Sequence, residues 1–373
     1  MEDNTMKILM TTDTVGGVWN YSLELCRSLF PYNVEIHLMS LGAFPSKKQI
    51  AEVKAIPNIA FYPTHFKLEW MENPWEDIEK TEEKIYRLCK IIQPDLLHFN
   101  NFVKSGRMWD VPVVTVFHSC VQTWWQAVNG ENVPQEWNDY LELVEDSLNS
   151  SDLVIFPTEA IRNAAWAAHR IYTESLVVHN CRELAITGKA KKEKIILCTG
   201  RIWDEAKNLS LLCSLADQLP WPIYVAGATM KPNSSEKMEL NNVRFLGKLN
   251  TEEMNYWLER TEIYVNPTLY EPFGLAVLEA AKARCALVLS NLETLTEVWG
   301  ENALYFNPRN GREITEKLLH LIENDCERKE YQQKAKLHSH KYNGTVLGKS
   351  YFEIYQSLTN KEEKFLIEKE TMV

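Results

Sequence analysis

The sequence contains no long apolar run. No stretch approaches the roughly 20 consecutive apolar residues of a membrane-spanning helix. The N-terminus, MEDNTMKILMTTD, lacks the basic flank, apolar region and small-residue cleavage site of a secretion signal. These absences argue against an integral membrane protein and against export. We therefore expect a soluble protein of the cytoplasm.

Two kinds of chemical motif are missing as well. The eight cysteines are scattered, without a CxxC pair or a Cys/His cluster at metal spacing. They are therefore expected to be small buried residues rather than metal ligands or disulfide partners. No GxGxxG follows any predicted strand, which argues against a dinucleotide-dependent oxidoreductase.

Positive charge is scarce in the first half of the chain. The formal net charge is -11 for the whole sequence, and residues 1–182 hold 24 acidic and 15 basic residues. An acidic surface is repelled by the phosphates of nucleic acids and by anionic membrane surfaces. The charge distribution therefore argues against nucleic acid as a partner and against stable membrane association.

What the sequence does contain is a repeated alternation of strand-like and helical segments. The chain of 373 residues exceeds what one hydrophobic core supports, so two domains are expected. Strands are predicted at 6–12, 34–41, 95–100, 111–117, 152–157 and 175–180, and a second series at 194–200, 222–227, 243–247, 262–267, 286–290 and 303–308. Such alternation indicates parallel, doubly wound α/β sheets. The polar segment between the two series predicts domains at 1–182 and 183–373, with a last helix at about 347–358 that packs back on the first domain.

Polar residues that directly follow the predicted strands are candidates for ligand binding, because open parallel sheets bind ligands beyond the carboxyl ends of their strands. Gly16 and Gly17 follow the first strand and open a helix, where glycines let backbone N–H groups approach a phosphate. Arg201 and Lys207 flank the loop after the strand at 194–200. Their cations suit a diphosphate, arginine as a fork and lysine as a point charge. A plain tight turn and a solvated surface remain the alternatives for these two loops.

The stretch LYEPFGLAVLEA at 269–280 places two glutamates around a helix start. Pro272 and Gly274 break the chain after a strand, so Glu271 lies in the loop and Glu279 within the helix. Their separation is on the order of 10 Å, given ~1.5 Å of rise per helical residue. That span fits a ligand with hydroxyls at both ends and an anion at the helix N-terminus. A nucleotide sugar, built from a sugar, a diphosphate and a ribose, has this layout.

His118 and two tryptophans are further candidates. His118 directly follows the strand at 111–117, where it can contact a ligand or serve as a structural residue. Trp124 and Trp125 lie a few residues later. Aromatic faces stack on sugar rings, so both tryptophans are candidates for acceptor binding. Packing in the protein interior is the alternative for each of them.

Together these motifs resemble the retaining glycosyltransferases of family 4, which have the GT-B fold. The resemblance runs from the glycine pair through His118 and the segment TGR to the block EPFGLAVLEA, which is its most specific part. It implies an α/β protein with two Rossmann-like, doubly wound domains that face a central cleft. The N-terminal domain would bind the acceptor, and the C-terminal domain would bind a nucleotide sugar.

The resemblance also implies a role for each candidate residue. Arg201 and Lys207 would hold the donor diphosphate and stabilise the leaving phosphate. Glu271 would hold the transferred sugar, together with the backbone N–H groups of Phe273, Gly274 and Leu275. His118 would contact the sugar near its 6-hydroxyl. The predicted catalytic residues are Arg201, Lys207, Glu271 and His118.

The other implied contacts belong to donor binding. Glu279 would bind the ribose. Gly16 and Gly17 would lie against the phosphates. The base would rest on the backbone at Lys248 and Leu249.

The predicted activity is the transfer of a hexose from a UDP- or GDP-linked sugar to a hydroxyl acceptor, such as a saccharide or a small metabolite. Retention is expected to proceed by front-face attack, because no enzymic nucleophile is evident. No DxD motif occurs, so neither a metal nor another cofactor is expected. A nucleotide-sugar epimerase of the same fold and a non-catalytic sugar-binding protein remain alternatives. The sequence does not determine the nucleotide base, the donor sugar, the acceptor or the linkage. It does not determine the oligomeric state either.

Overall fold

The computed structural model describes residues 5–104, 109–186, 188–228 and 242–360. The chain divides into two compact units. Unit 1 comprises the described parts of Met1–Thr123, Asn132–Cys181 and Gly344–Val373, and unit 2 comprises those of Trp124–Glu131 and Arg182–Asn343. The main boundary, between Cys181 and Arg182, lies one residue before the predicted one. The segment Trp124–Glu131 belongs to unit 2, although it lies within the range predicted for the first domain. The C-terminal helix, which was predicted to pack back on the first domain, belongs to unit 1.

Unit 1 is built on a seven-stranded parallel sheet. Its strands are β1 (Met6–Asp13), β2 (Val34–Leu41), β3 (Ile59–Pro63), β4 (Leu96–Phe99), β5 (Val113–Val116), β6 (Leu153–Phe156) and β7 (Ser175–Val177). The order across the sheet is β3-β2-β1-β4-β5-β6-β7. Helices of this unit are α1 (Gly17–Leu29), α2 (Lys47–Lys54), α3 (Trp75–Ile92), the start of α4 (Val121–Asn129), α5 (Asn138–Asn149), α6 (Glu159–Ala168) and the C-terminal α13 (Gly344–Thr359).

Both faces of this sheet are covered, which is why consecutive residues of its central strands β1, β4 and β5 are buried. Ile8 and Met10 of β1 lie in a cluster with buried residues of α1 and α13. Leu9, on the opposite face of the strand, packs in a second cluster with residues of α3. Helix α13 lies so close to α1 that a Cβ atom on Gly348 would be 2.1 Å from the carbonyl oxygen of Ser28.

Unit 2 has a six-stranded parallel sheet. Its strands are β8 (Glu193–Thr199), β9 (Ile223–Ala226), β10 (Arg244–Gly247), β11 (Thr261–Asn266), β12 (Ala286–Ser290) and β13 (Leu304–Phe306). The order across the sheet is β10-β9-β8-β11-β12-β13. Helices of this unit are the remainder of α4, α7 (Leu209–Leu215), α8 (Thr251–Arg260), α9 (Leu275–Lys282), α10 (Glu293–Trp299), α11 (Gly311–Glu323) and α12 (Asp325–Ser339).

The strand order of each sheet reverses at one point. In unit 1 the reversal lies between β1 and β4, and in unit 2 it lies between β8 and β11. Loops that leave neighbouring strands there run in opposite directions and open a crevice, which is where sheets of this type bind ligands. The topology therefore directs attention to the loops that follow these four strands.

The predicted α/β architecture with two doubly wound sheets is confirmed. All twelve predicted strands are present, and their ends differ from the predicted ones by at most three residues. The edge strand β3 was not predicted, because it is only partly buried and carries a proline. All eight cysteines are free. Six of them are buried as expected, whereas Cys89 is half-buried and Cys326 is exposed, so the expectation of a buried position was wrong for these two. Within the described ranges, no helix has the length and apolar composition needed to cross a membrane.

Candidate functional site

The loop after β8 carries Arg201 beside a buried carboxylate. Nη2 of Arg201 lies 2.5 Å from Oδ2 of Asp204, and the guanidinium lies 4.9 Å from the ring centroid of Trp203. Asp204 also accepts a hydrogen bond from the backbone N–H of Ala206 at 3.1 Å, which caps a short 3-10 turn. Because Asp204 is held by its own turn, it fixes the direction of the arginine. The Arg201 side chain remains 40% exposed and thus accessible to a ligand.

Lys207 and Glu271 form an ion pair that joins the loops after β8 and β11. Nζ of Lys207 lies 2.8 Å from Oε2 of Glu271, and the two side chains are 20% and 17% exposed. Backbone contacts fix the same two loops to each other. The hydroxyl of Thr268 and the N–H of Leu269 both donate to the carbonyl of Ala206, each at 2.7 Å. A cation and a carboxylate thus lie side by side at the point where the strand order reverses.

Asn208 holds the end of the first loop in place. It adopts a left-handed backbone conformation with φ of 52° between the 3-10 turn and α7, a conformation that asparagine tolerates better than most residues. Its Nδ2 donates to the carbonyls of Pro267 at 3.0 Å and Pro308 at 2.7 Å. The turn that presents Lys207 is therefore tied to the loops after β11 and β13.

The segment that follows Glu271 turns sharply into α9. Gly274 has φ of 91° and precedes the first helical residue, Leu275. This conformation is strained for any residue with a Cβ atom. Phe273 is buried, and its ring meets that of Tyr342 edge to face at 5.6 Å. The hydroxyl of Thr294 donates to the carbonyl of Glu271 at 2.6 Å, so packing on one side and a hydrogen bond on the other define this turn.

Three other residues predicted to contact the donor also lie in unit 2. Glu279 is in α9, and its Oε1 accepts from Nε of Arg182 at 2.8 Å. Lys248 and Leu249 follow β10, at the edge of the sheet, and the Lys248 side chain is exposed. Their proposed contacts with ribose and base stay predictions.

The two tryptophans predicted to bind an acceptor lie in the part of α4 that belongs to unit 2. Nε1 of Trp124 donates to Oδ1 of Asp204 at 3.3 Å. The ring of Trp125 meets that of Trp124 at 6.2 Å, and its buried Nε1 has no hydrogen-bond partner among the described residues. The end of α4 is held by Arg309, which donates to the carbonyls of Ala127 and Val128. Trp124 therefore supports the carboxylate that orients Arg201, in addition to any role toward an acceptor.

In unit 1, Gly16 and Gly17 lie directly after β1 and are exposed. Gly16 precedes α1 with φ of 103°. Nearby, Asp13 at the end of β1 accepts from the N–H of Val15 at 2.8 Å. Burial, together with the negative charge of Asp13, raises the pKa of Glu69 to about 8. The strand end in this unit thus combines an open backbone turn with two acidic side chains.

His118 lies after β5, in contact with Asn100, the residue that directly follows β4. Its Nε2 lies 2.8 Å from Oδ1 of Asn100, and its ring meets that of Tyr21 edge to face at 4.6 Å. Removal from water and, to a lesser extent, the neighbouring His98 lower the pKa of His118 to about 3. The imidazole is therefore neutral near pH 7, which suits a hydrogen-bond contact and not the donation of a proton.

The structure brings part of the predicted set together. Arg201, Lys207 and Glu271 lie on two adjoining loops of unit 2, with Glu279 in the helix that follows. Asp204 and Asn100 were not singled out from the sequence. Both meet the criterion used for the other candidates, since each lies in the loop that follows a strand. Among the residues that the structure describes, no group of three or more His, Cys, Asp or Glu side chains is arranged to hold a metal ion.

Two family models match the chain, and between them they cover most of it. Residues 15–185 match the model described as Glycosyltransferase Family 4, and residues 193–324 match that described as Glycosyl transferases group 1. The O-antigen chain mannosyltransferase B of Escherichia coli is 32% identical over 83 residues, which are 22% of this chain and 22% of that protein. A phosphatidyl-myo-inositol mannosyltransferase of Propionibacterium freudenreichii is 41% identical over 66 residues, 17% of each chain. The chain thus aligns with about a fifth of the length of these relatives.

Solved structures resemble the whole chain in fold. Sucrose-phosphate synthase from Thermosynechococcus elongatus superimposes with a TM-score of 0.75 at 15% identity, covering 95% of this chain and 99% of that one. The Anabaena protein Alr3699/HepE, crystallised with UDP and glucose, gives a TM-score of 0.70 at 14% identity, covering 95% of this chain and 100% of that one. At these identities the likeness shows a shared fold.

Proposed function

Because this chain belongs to the family 4 and group 1 glycosyltransferases, we propose that it transfers a hexose from a UDP- or GDP-linked sugar to a hydroxyl acceptor, with retention of configuration. The acceptor is a saccharide or a small metabolite, since the acidic first half of the chain disfavours an anionic surface. A cytoplasmic location accords with such a donor. Neither a metal nor another cofactor is part of this proposal.

The Lys207–Glu271 pair is the observation that carries the proposal. It places a cation and a carboxylate 2.8 Å apart at the strand reversal of unit 2. In a nucleotide sugar, an anionic phosphate and a sugar rich in hydroxyls meet at the bond that is broken. The ammonium of Lys207 suits the phosphate oxygens, and the carboxylate of Glu271 accepts hydrogen bonds from the sugar hydroxyls.

Arg201 completes the phosphate site. Its guanidinium is exposed but directed by Asp204, so it is available to an anion without a large loss of side-chain freedom. Negative charge accumulates on the diphosphate as the glycosidic bond breaks. Cations already in position stabilise that charge more in the transition state than in the ground state. Arg201 and Lys207 are therefore assigned to leaving-group stabilisation.

The reaction we propose breaks the bond between the anomeric carbon and the diphosphate oxygen on the same face on which the acceptor hydroxyl attacks. The acceptor proton passes to the departing phosphate, and the new glycosidic bond keeps the anomeric configuration of the donor. His118 is neutral near pH 7 and is assigned to sugar contact. Glu279 is assigned to the ribose, and the backbone after Glu271 is assigned to the transferred sugar.

The test begins with a thermal-shift screen against UDP-, GDP- and ADP-sugars, because a ligand that binds only the native state raises Tm. The donor found in this way is then used in a transfer assay, in the presence of EDTA. The release of nucleoside diphosphate from this donor and the anomeric configuration of the product are measured by NMR. Isomerised donor without transfer would favour an epimerase. Binding without release of nucleoside diphosphate would favour a non-catalytic protein.

Two variants test the assigned site. We expect Lys207→Ala and Glu271→Gln to lower kcat by about two to three orders of magnitude, the range found when one preorganised group is removed from a charged transition state. The matched control is Lys329→Ala, since Lys329 pairs with Asp325 at 2.6 Å on the surface of α12. Near-normal transfer by either site variant, with all three proteins folded, would remove the assignment.

A further inference from the structure

A chain of buried polar groups in unit 1 ends at His118. Nδ1 of His98 lies 2.7 Å from the hydroxyl of Tyr355, and Nε2 of His98 lies 3.2 Å from Oδ1 of Asn100. The same Oδ1 lies 2.8 Å from Nε2 of His118. His98 of β4 and His118 of the loop after β5 therefore meet at one amide oxygen, and Tyr355 of α13 bonds to the other ring nitrogen of His98.

The orientation of the Asn100 amide follows from its other contacts. Nδ2 lies 2.8 Å from the carbonyl oxygen of Thr11 and 3.4 Å from the hydroxyl of Ser22. A carbonyl oxygen can only accept, so the amide atom that faces it is the NH2 group. The N–H of Asn100 adds a bond to the hydroxyl of Thr11 at 3.0 Å. The side chain is thereby held with its oxygen toward the two imidazoles.

An amide oxygen only accepts hydrogen bonds, so each imidazole nitrogen that faces it must carry a proton. For His98, a proton on Nε2 leaves a lone pair on Nδ1, which accepts from the hydroxyl of Tyr355. Both histidines are neutral, because burial lowers the pKa of His98 to about 4 and that of His118 to about 3. One set of proton positions then satisfies every hydrogen bond that links Tyr355, His98, Asn100 and His118.

For His118 the same rule leaves Nδ1 without a proton. No hydrogen bond from a described residue to this atom is present, and the side chain is partly exposed. The groups packed around the ring are Tyr21 from α1, His98 from β4 and Asn100, and Tyr21 is itself bonded to Tyr351 of α13 at 2.5 Å. None of them carries a formal charge near pH 7.

We propose that Asn100 fixes His118 in the tautomer with its proton on Nε2, so that Nδ1 presents a lone pair to a hydroxyl group of the substrate. A lone pair attracts a hydroxyl donor and repels a phosphate or carboxylate oxygen. His118 therefore distinguishes a hydroxyl from an anionic group at its contact point, and Asn100 acts as a positioning residue. The identity of the substrate rests on the proposed function, whereas the tautomer does not.

The test reads the tautomer directly. The full chain is labelled with 15N-histidine, and long-range 1H–15N spectra are recorded from pH 5 to pH 8, with the His118 signals assigned through a His118→Gln variant. We expect a protonated Nε2 and a bare Nδ1 throughout this range. A wild-type spectrum with the proton on Nδ1, or an imidazolium within this range, would overturn the proposal without any measurement of activity.

Two substitutions separate positioning from general structural support. Asn100→Leu removes the acceptor and is expected to give a mixture of His118 tautomers. Asn100→Asp keeps an acceptor oxygen toward the imidazoles when its other oxygen, which faces the carbonyl of Thr11, carries a proton, and in that form it is expected to retain the wild-type tautomer. Asn101→Leu is the matched control, since Asn101 is buried next in sequence but bonds to neither histidine in the described structure. Retention of the tautomer in the leucine variant, or its loss in the aspartate variant, would contradict the assignment; if the leucine variant does not fold, the wild-type and aspartate spectra still decide.

An activity measurement links the tautomer to substrate choice. The donor from the thermal-shift screen is compared with its deoxy analogues, and the ratio of their kcat/KM values is measured. We expect Asn100→Leu to reduce the preference for the hydroxylated donor by about three- to tenfold, the value of one hydrogen bond, and Asn100→Asp to retain it. An unchanged preference in the leucine variant would refute the substrate contact. If wild-type protein transfers no sugar at all, the proposed function fails while the NMR result stands.

Discussion

Replacing Glu69 by glutamine tests the electrostatics at the strand ends of unit 1. Glu69 is 8% exposed, and its pKa is raised from 4.5 to about 8. Burial is the main cause, and the nearby charge of Asp13 adds to it, while hydrogen bonds from backbone N–H groups act in the opposite direction. The folded protein therefore holds a proton on this carboxyl at pH values where the unfolded chain has released it.

The sign of the effect follows from this difference in proton binding. Below about pH 4.5 both states are protonated, and the carboxyl contributes no pH dependence. Between about pH 4.5 and pH 8 the unfolded state binds fewer protons than the folded state, so the free energy of unfolding falls as pH rises. A shift of this size corresponds to a loss of about 5 kcal/mol at most, at about 1.4 kcal/mol per pH unit. Above pH 8 the loss is complete.

Glutamine resembles the protonated carboxyl in shape and in having both a donor and an acceptor. Urea unfolding of the wild type and of Glu69→Gln, followed by tryptophan fluorescence from pH 5 to pH 9, isolates the contribution. We expect similar stability near pH 5 and a variant that is more stable by several kcal/mol at pH 9. The control is Glu72→Gln, an exposed glutamate of the same segment. If the free energy of unfolding changed with pH in the same way for the wild type and for Glu69→Gln between pH 5 and pH 9, the reasoning would be refuted.

Two further substitutions test packing in each unit. Gly348→Ala would place a Cβ atom 2.1 Å from a backbone oxygen of α1, so we expect a loss of about 1 to 3 kcal/mol in the free energy of unfolding, as for other overpacked sites. Lys349→Ala, on the exposed face of α13, is the control and should unfold like the wild type. Arg328 is buried against Glu262 at 3.2 Å, so Arg328→Met should cost about 3 to 5 kcal/mol, because it leaves the carboxylate of Glu262 without a cation and, among the described residues, with only the amide of Gln332 as a partner. Calorimetry would contradict this if Tm fell no more than for Arg312→Met, a substitution in an exposed ion pair.

Much of the fold could be read from local patterns. Most of the twelve predicted strands are mainly apolar runs, as expected for parallel strands covered on both faces, whereas the edge strands β7 and β10 are less buried. The turn into α9 was predicted from Pro272 and Gly274, with Glu271 in the loop and Glu279 in the helix, and α9 begins at Leu275. The strand β3 escaped prediction, since an edge strand with few buried residues leaves only a weak apolar signal.

Assignment of segments to units was harder to predict. Helix α13 follows the second series of strands but was predicted to pack back on the first domain, and it belongs to unit 1, where Leu347, Tyr351 and Tyr355 lie in the core. An amphipathic pattern shows that a helix buries one face but does not show against which core it does so. The same limit applies to the end of α4, which belongs to unit 2 through contacts such as that between Trp124 and Asp204.

The sequence by itself determined the α/β class, the two doubly wound sheets and the loops in which charged side chains follow strands, because hydrophobic periodicity and turn residues act over a few positions. Only the tertiary structure decided that Lys207 pairs with Glu271, that Asp204 directs Arg201 and that Asn100 sets the proton position of His118. These contacts join residues from separate strands and loops. Their distances and protonation depend on which groups the folded sheet brings within about 3 Å of each other, away from water.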